Sequence, residues 1–292
     1  SNLNSASGNN GTNILNSLIL GLTLEKPLLE QKIKERVSER LDQGIIEEVE
    51  ALESETDDSE KLDFYKAVKI SMKGMAEFGD RYAAEASKMA SVETDPVRKQ
   101  ELLEIASICA RVPRFGATSF YEAVQSMTLA HICIFMETLG ETTCPGRIDQ
   151  FLNPFYEKDV AAGNISRERA KEILGAFCVK LCETIPMHGE VGTSTLGGLT
   201  SWEVVTIGGQ DKDGNDATNE LSFVLLELAD ELRMRQPNFH VRIHKNTPKA
   251  FYDEVIRINF GPGSAPAMYN DEIIIESMTD IGYSLEDARN YV

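Results

Sequence analysis

The run TIGGQDKDGNDATNELS, residues 206–222, sets Asp211, Asp213 and Asn215 at alternate positions. Oxygen donors spaced in that way can converge on one hard cation, as in the first half of an EF-hand calcium loop. The second half departs from the pattern. Asp216 occupies the sixth position where Gly is required, Ser222 occupies the twelfth where a bidentate Glu belongs, and a β-branched run leads in instead of a helix. Asp213-Gly214 is hairpin-type turn chemistry, and Thr218 can cap the apolar helix that follows. The stretch therefore predicts strand, turn and helix start, with no metal.

The other candidate constellations are equally incomplete. Residues 192–198 are rich in Gly, Thr and Ser but lack the Lys-Ser/Thr pair of a phosphate loop, and they lead into a strand where a helix would be needed. His240 and His244 are four apart on a predicted strand, which spaces them by ~13 Å on one face, too far for one metal. His131 stands alone in an apolar helix, the usual setting of a satisfied core histidine. Cys178 and Cys182 share a helical face with no second Cys or His pair near them, so they read as core thiols. The other cysteines, Cys109, Cys133 and Cys144, complete an odd set without framework spacing, which favours reduced thiols.

The elements that must position these groups fall into two blocks. Residues 1–12 are small and polar, a disordered leader or a cut end, and residues 13–183 form a mostly helical shell. Within the shell an acidic helix runs into a loop before residue 60. Phe64, Val68, Met72, Met75 and Tyr82, then Leu102, Leu103 and Ile105, recur every three to four residues, giving two long helices broken at Asp95-Pro96. Ser119 can cap a third helix, apolar on nearly every face and so expected to be buried, and Ser166 caps a later one reaching Glu183. From 184 to 292 the character changes: a loop over 184–200, then runs WEVVTIGG, NFHVRIH and APAMYND separated by helices over 218–234 and 249–259. The second of these helices has Thr247 as N-cap and Pro248 at the first helical position. Strand, helix, strand, helix, strand implies a parallel or barrel-like sheet with helices outside. Ser284 and Asp287 form a capping-box variant at the last helix.

Bulk properties narrow the function. The 292 residues carry 47 acidic against 29 basic side chains, a formal charge of −18, which argues against nucleic acid or an anionic membrane as partner. The apolar run ILNSLILGLTL is too short to span a bilayer and lacks a basic region before it, so neither a signal peptide nor a membrane span is expected, and the cytoplasm is the default.

Six segments, ELLEIASICARVP, FYEAVQS, PGRIDQFLNPFYEKDVAAGNIS, IGGQDKDGNDATNELS, RQPNFHVRIHKNTP and PAMYNDEIIIESMTDIGYSLEDARNYV, occur in the order found in the pyruvate formate-lyase superfamily. Residues 62–292 thus resemble the central part of a glycyl radical enzyme of the dehydratase or lyase branch. The resemblance implies an α/β fold, part of a ten-stranded glycyl radical enzyme barrel surrounded by helices, with residues 184–292 supplying a half-barrel portion that stops before the cysteine loop. It implies a protein-based glycyl radical installed by a separate S-adenosylmethionine and iron-sulfur activating enzyme, oxygen sensitivity, a homodimer in the full-length protein, and a cytoplasmic location, in some members inside a bacterial microcompartment. The radical Cys and Gly are expected beyond Val292, so none of the five cysteines is nominated, and the chain alone is expected to be inactive and poorly soluble.

For the substrate pocket the resemblance points to Trp202, Glu141 and Thr142. Glycerol-dehydratase-like members carry a His-Ser pair where this sequence has Glu141 and Thr142, which weakens a glycerol assignment. Trp202 matches a position that is Phe in choline lyase-like and hydroxyproline dehydratase-like members and Trp in isethionate sulfite-lyase-like ones; a large residue starting a buried strand explains it equally. The expected reaction is radical cleavage of a carbon-heteroatom bond, dehydration or C-S or C-N lysis, in a small polar substrate. Decarboxylation of an arylacetate or addition to fumarate is the alternative within enzymes. A truncated, non-catalytic paralogue or regulatory subunit is the alternative outside them.

Overall fold

The computed structural model describes residues 44–138, 143–184, 189–196, 203–234, 236–261 and 266–290. Helices α1 (Ile45–Ser54), α2 (Ser59–Val92), α3 (Pro96–Arg111) and α4 (Phe120–Thr138) come first, followed by α5 (Ile148–Phe151), α6 (Asn153–Ala161), α7 (Arg167–Glu183) and α8 (Glu190–Leu196). The sheet region then alternates: β1 (Val204–Gly208), α9 (Glu220–Leu232), β2 (Asn238–Ile243), α10 (Lys249–Asn259), β3 (Ala267–Asn270), and finally α11 (Asp271–Asp280) and α12 (Leu285–Asn290).

The break expected at Asp95-Pro96 is where α3 begins. Asp95 accepts from the Val97 and Arg98 amides, and Pro96 sits in the first turn, where its missing N–H is not needed. The seam between α2 and α3 differs from expectation. The residues of α2 that bury there are Ala76, Gly79, Ala83, Ala86 and Ala90, small side chains at helical spacing that let two backbones approach. A Cβ on Gly79 would stand 2.9 Å from the Val112 carbonyl oxygen, so the close approach needs glycine. Phe64 and Tyr82, expected on the apolar face, are exposed. Helix α4 is likewise only part buried: Ile134 and Met136 face outward although the sequence there is apolar all round.

Ser166 caps α7 as expected, its hydroxyl accepting from the Arg169 amide. Three boundaries move. Residues 190–196, within the expected loop 184–200, form the two-turn helix α8. The cap of α9 is Asn219 in place of Thr218: its side chain accepts from the Ser222 amide while the Ser222 hydroxyl accepts from the Asn219 amide, a reciprocal pair that Thr218 is one residue too early to make. Pro248 is the N-cap of α10, and Thr247 instead accepts from the His244 amide.

All three strands are parallel, in the order β1-β2-β3, with Val205 opposite Phe239 and His240 opposite Ala267. Alternation along a strand separates the two faces. Val205, Ile207, Phe239 and Val241 turn one way, into a core with Leu221, Leu225, Phe251 and Val255 of the crossover helices and Leu174, Phe177 and Cys178 of α7. Each large apolar side chain sealed there contributes ~1.5–3 kcal/mol. Both crossover helices share this core, so they lie on the same face of the sheet. The opposite face carries Thr206, Asn238, His240 and Arg242, continued in register by Ala267 and Tyr269. A β-bridge between Gly146 and Val205 brings the segment before α5 alongside the outer edge of β1.

Candidate functional site

Parallel strands place their carboxyl ends together, and in open α/β sheets that end is where sites form. Here it holds two arginines, Arg242 buried and Arg147 half-buried. Arg242, at the end of β2, is 2 % exposed and meets the fully buried Asp271 bidentately, Nε to Oδ1 at 2.7 Å and Nη2 to Oδ2 at 3.0 Å. Asp271 Oδ2 also accepts from the Gln210 amide at 2.9 Å, and Arg242 Nη2 donates to the Arg289 carbonyl at 2.9 Å. Arg147 donates through Nη2 to the Gly208 carbonyl at 2.9 Å and through Nη1 to the carbonyls of Arg289 and Asn290 at 3.3 Å. Burial, and then the Arg242 charge, depress the Arg147 pKa. Both guanidinium groups therefore grip the last carbonyls of α12, where cations also favour the helix dipole.

Gly208 and Gly209 make this possible. Both have positive φ, +72° and +83°, and a Cβ on Gly209 would stand 2.7 Å from Arg242 Nε. Beneath them Asp149 is fully buried; its Oδ2 accepts from the Gly208 amide at 2.8 Å and the Ser222 hydroxyl at 2.6 Å. Burial raises the Asp149 pKa against the lowering effect of those two bonds.

The polar face of the sheet borders a cleft of about 220 Å³ lined by Thr206, His240, Arg242, Tyr269 and Ile274. The His240 and Tyr269 rings lie 4.7 Å apart and tilted. Burial lowers the His240 pKa, so the imidazole presented to the cleft is neutral at neutral pH. The cleft thus offers a hydroxyl, an imidazole and a phenol, while its one cation is already satisfied by Asp271. Such a lining can orient a small polar molecule through neutral hydrogen bonds.

A second buried polar cluster lies at the start of β1. His131, on α4, places Nε2 2.9 Å from Glu203 Oε2 and 2.9 Å from the Thr143 carbonyl oxygen. Burial pulls the His131 pKa down, but the Glu203 hydrogen bond and charge and the Thr143 carbonyl outweigh it, and the net shift is upward. Glu203 is 1 % exposed, and its backbone is held by Gln236 and Asn238.

Of the residues singled out by sequence, Trp202, Glu141 and Thr142 lie outside the described residues. The acidic turn spends its donors internally. Asp211 Oδ1 accepts from the Asp213 and Asn215 amides and Oδ2 from the Asn215 side chain, bonds that outweigh burial and lower its pKa. Asp216 Oδ1 meets Thr218 Oγ1 and His244 Nε2, each at 3.0 Å. His240 and His244 accordingly have separate tasks, one on the cleft and one bracing the turn beyond the strand. Cys178 is buried, its thiol pushed up to about 12 by burial, and Cys182 donates to the Gln236 carbonyl at 2.9 Å. Among the described residues no group of three or more His, Cys, Asp or Glu is disposed to hold a metal. Sequence reasoning missed Asp149, Arg242 and Asp271, whose partners lie 29 to 73 residues away; the only local signal was the Gly208-Gly209 pair.

A family model described as pyruvate formate lyase-like matches residues 37–292. The trans-4-hydroxy-L-proline dehydratase of Clostridioides difficile is 36% identical over 251 residues, covering 83% of this chain and 32% of that protein. The isethionate sulfite-lyase of Oleidesulfovibrio alaskensis is 37% identical over 241 residues, covering 82% of this chain and 29% of that protein. Among solved structures, the glycerol-bound form of the B12-independent glycerol dehydratase from Clostridium butyricum superposes with a TM-score of 0.80 at 36% identity, over 85% of this chain and 32% of that one. The chain belongs to the pyruvate formate lyase-like family of glycyl radical enzymes, and its fold is a part of that family's barrel. It spans about a third of the length of the curated relatives it matches.

Proposed function

We propose that this chain is part of a glycyl radical lyase or dehydratase that cleaves a carbon-heteroatom bond in a small polar substrate. The observation that carries the reading is the match to a hydroxyproline dehydratase and an isethionate sulfite-lyase at 36% and 37% identity, each over more than four-fifths of this chain. A protein-based glycyl radical, installed by a separate S-adenosylmethionine and iron-sulfur activating enzyme, supplies the power to abstract hydrogen from an unactivated carbon. The radical cysteine and glycine belong beyond Val292. In support, Cys109 and Cys178 are sealed in helix-packed cores.

The chain's own residues bind and shield. Helices α4, α7, α9 and α10 seal the outer face of the sheet against water, which a radical reaction requires. Thr206, His240 and Tyr269 orient the substrate's polar groups from the inner face, and Arg147 and Arg242 fix the end of α12, from which the family's cysteine loop departs. Trp202, Glu141 and Thr142 complete the pocket, and the indole at 202 makes C-S cleavage of a small sulfonate one candidate reaction. The protein acts as a homodimer in the cytoplasm, in a microcompartment if its operon encodes one. No helix among the described residues is long and apolar enough to cross a membrane.

Anaerobic activation followed by electron paramagnetic resonance and product analysis tests the reading. With isethionate, trans-4-hydroxy-L-proline and glycerol offered in turn, release of sulfite or loss of water from one of them is expected. Release of carbon dioxide from an arylacetate would move the enzyme to the decarboxylases, and failure of every activating enzyme to raise a radical would make the protein non-catalytic.

A further inference from the structure

His131 joins two segments that sequence alone leaves 60 residues apart. Its Nε2 lies 2.9 Å from both the Thr143 carbonyl oxygen and Glu203 Oε2. A carbonyl can only accept, so Nε2 carries the hydrogen and donates to both. Each acceptor begins a run of chain on the edge of the sheet. Three residues after Thr143, the Gly146 carbonyl accepts from the Thr206 amide at 3.0 Å and Gly146 bridges to Val205; one residue after Glu203, β1 begins. Toward β2, Glu203 is fastened through its backbone, its carbonyl accepting from Asn238 and its amide donating to Gln236 Oε1. Toward α4 its side chain depends on His131: Glu203 Oε1 has no partner among the described residues, so the His131 N–H is the one donor that this buried carboxylate receives there. A carboxylate 1 % exposed needs such a donor, because an unpaired buried charge is strongly destabilising.

We propose that His131 is a positioning residue: one ring nitrogen on the outer helix α4 sets the spacing between the chain at Thr143 and the chain at Glu203, and so between the two walls that meet at the start of β1. The shared N–H couples the two segments through the imidazole, beside the backbone bond from Thr206 to Gly146 that joins them further along. The consequence for catalysis rests on the proposed function, in which Glu141-Thr142 and Trp202, the neighbours of Thr143 and Glu203 in the chain, line the pocket. A small error in that spacing is costly, since misplacing a bound substrate by about 1 Å can cost on the order of 100-fold in rate.

Trp202 is the sole tryptophan of residues 1–292 and Cys144 an exposed cysteine, so photoinduced electron transfer from the indole to a bimane label on Cys144, which acts only near contact, reads the spacing directly. The measurement uses the full-length protein with Cys133 and Cys182 replaced by Ser, and with any tryptophan and any reactive cysteine outside residues 1–292 replaced by Phe and Ser. His131→Leu is expected to lower or broaden the transfer. His131→Gln, whose amide nitrogen can reach both acceptors, is expected to retain it, and Leu226→Ala, a core cavity away from the cluster, to leave it unchanged. Should His131→Leu fail to fold, the pair His131→Leu with Glu203→Leu removes both polar partners together, leaves neither buried and unpaired, and is expected to lower the transfer alike. Unchanged transfer in the folded leucine variants, or an equal change in Leu226→Ala, overturns the proposal. In the activated enzyme His131→Leu is expected to raise KM more than it lowers kcat, with His131→Gln restoring it. Altered transfer with KM unmoved upholds the link and rejects the pocket assignment.

Discussion

Replacing Asp271 by Asn should cost more than almost any other single-atom change in this chain. The carboxylate is fully buried and receives three donors: Arg242 Nε at 2.7 Å, Arg242 Nη2 at 3.0 Å and the Gln210 amide at 2.9 Å. Asparagine keeps one acceptor oxygen and turns an NH2 toward a donor, whichever way it is flipped. Arg242, itself 2 % exposed, would lose its bidentate carboxylate partner. Breaking a buried pair in this way costs ~3–5 kcal/mol. The double replacement Arg242→Met with Asp271→Leu removes both charges and leaves the Gln210 amide short of a partner, while the Arg289 carbonyl keeps Arg147, at ~1–3 kcal/mol. Urea unfolding followed by circular dichroism, with slopes compared to confirm that the same surface is exposed, gives both values. An Asp271→Asn midpoint within ~1 kcal/mol of wild type, or a double variant less stable than the single one, would refute the argument that desolvated charge dominates here.

Gly209→Ala combines a positive φ with a Cβ 2.7 Å from Arg242 Nε, so thermal unfolding should show a loss of ~2 kcal/mol or more, whereas Gly74→Ala, in the exposed middle of α2, should not destabilise. Ser222→Ala deletes the hydroxyl that donates to Asp149 and accepts from the Asn219 amide; a fall of ~1–3 kcal/mol in urea unfolding is expected, with Ser222→Thr closer to wild type. His131 has a folded pKa raised above the unfolded value near 6.5, so the stability it contributes is full below pH ~6.5 and lost as pH rises through the folded pKa. The urea midpoint should therefore fall over that window in wild type and not in the His131→Leu, Glu203→Leu pair. Maleimide at neutral pH should modify Cys144 first and reach Cys109 and Cys178, whose thiols burial pushes up to about 11 and 12, only on unfolding; mass spectrometry of timed digests decides this.

The elements were largely legible because their signals are local. Asp95-Pro96 and Ser166 announce helix starts through bonds two or three residues long, and β-branched runs announce β1 and β2. Boundaries slipped where two caps compete within a residue: Thr218 and Asn219 are both good caps, and the reciprocal bond with Ser222 selects the second. Burial was harder to read. Helix α2 buries its alanine stripe because the partner helix approaches closely enough to exclude large side chains, a fact that belongs to the pair and not to either sequence, and Phe64, well before that seam, is exposed.

The sequence by itself determined the class of fold, the order of its motifs and the family resemblance, since periodicity, turn residues and motif spacing are written in neighbouring positions. Only the tertiary structure decided which polar groups meet. Arg242 finds Asp271 across 29 residues, Glu203 finds His131 across 72, and Arg147 reaches the Arg289 carbonyl across 142. Each contact exists because parallel strands bring their ends into line and helices close over one face. Desolvation there makes a partner obligatory, while the linear chain gives no indication of which partner it will be.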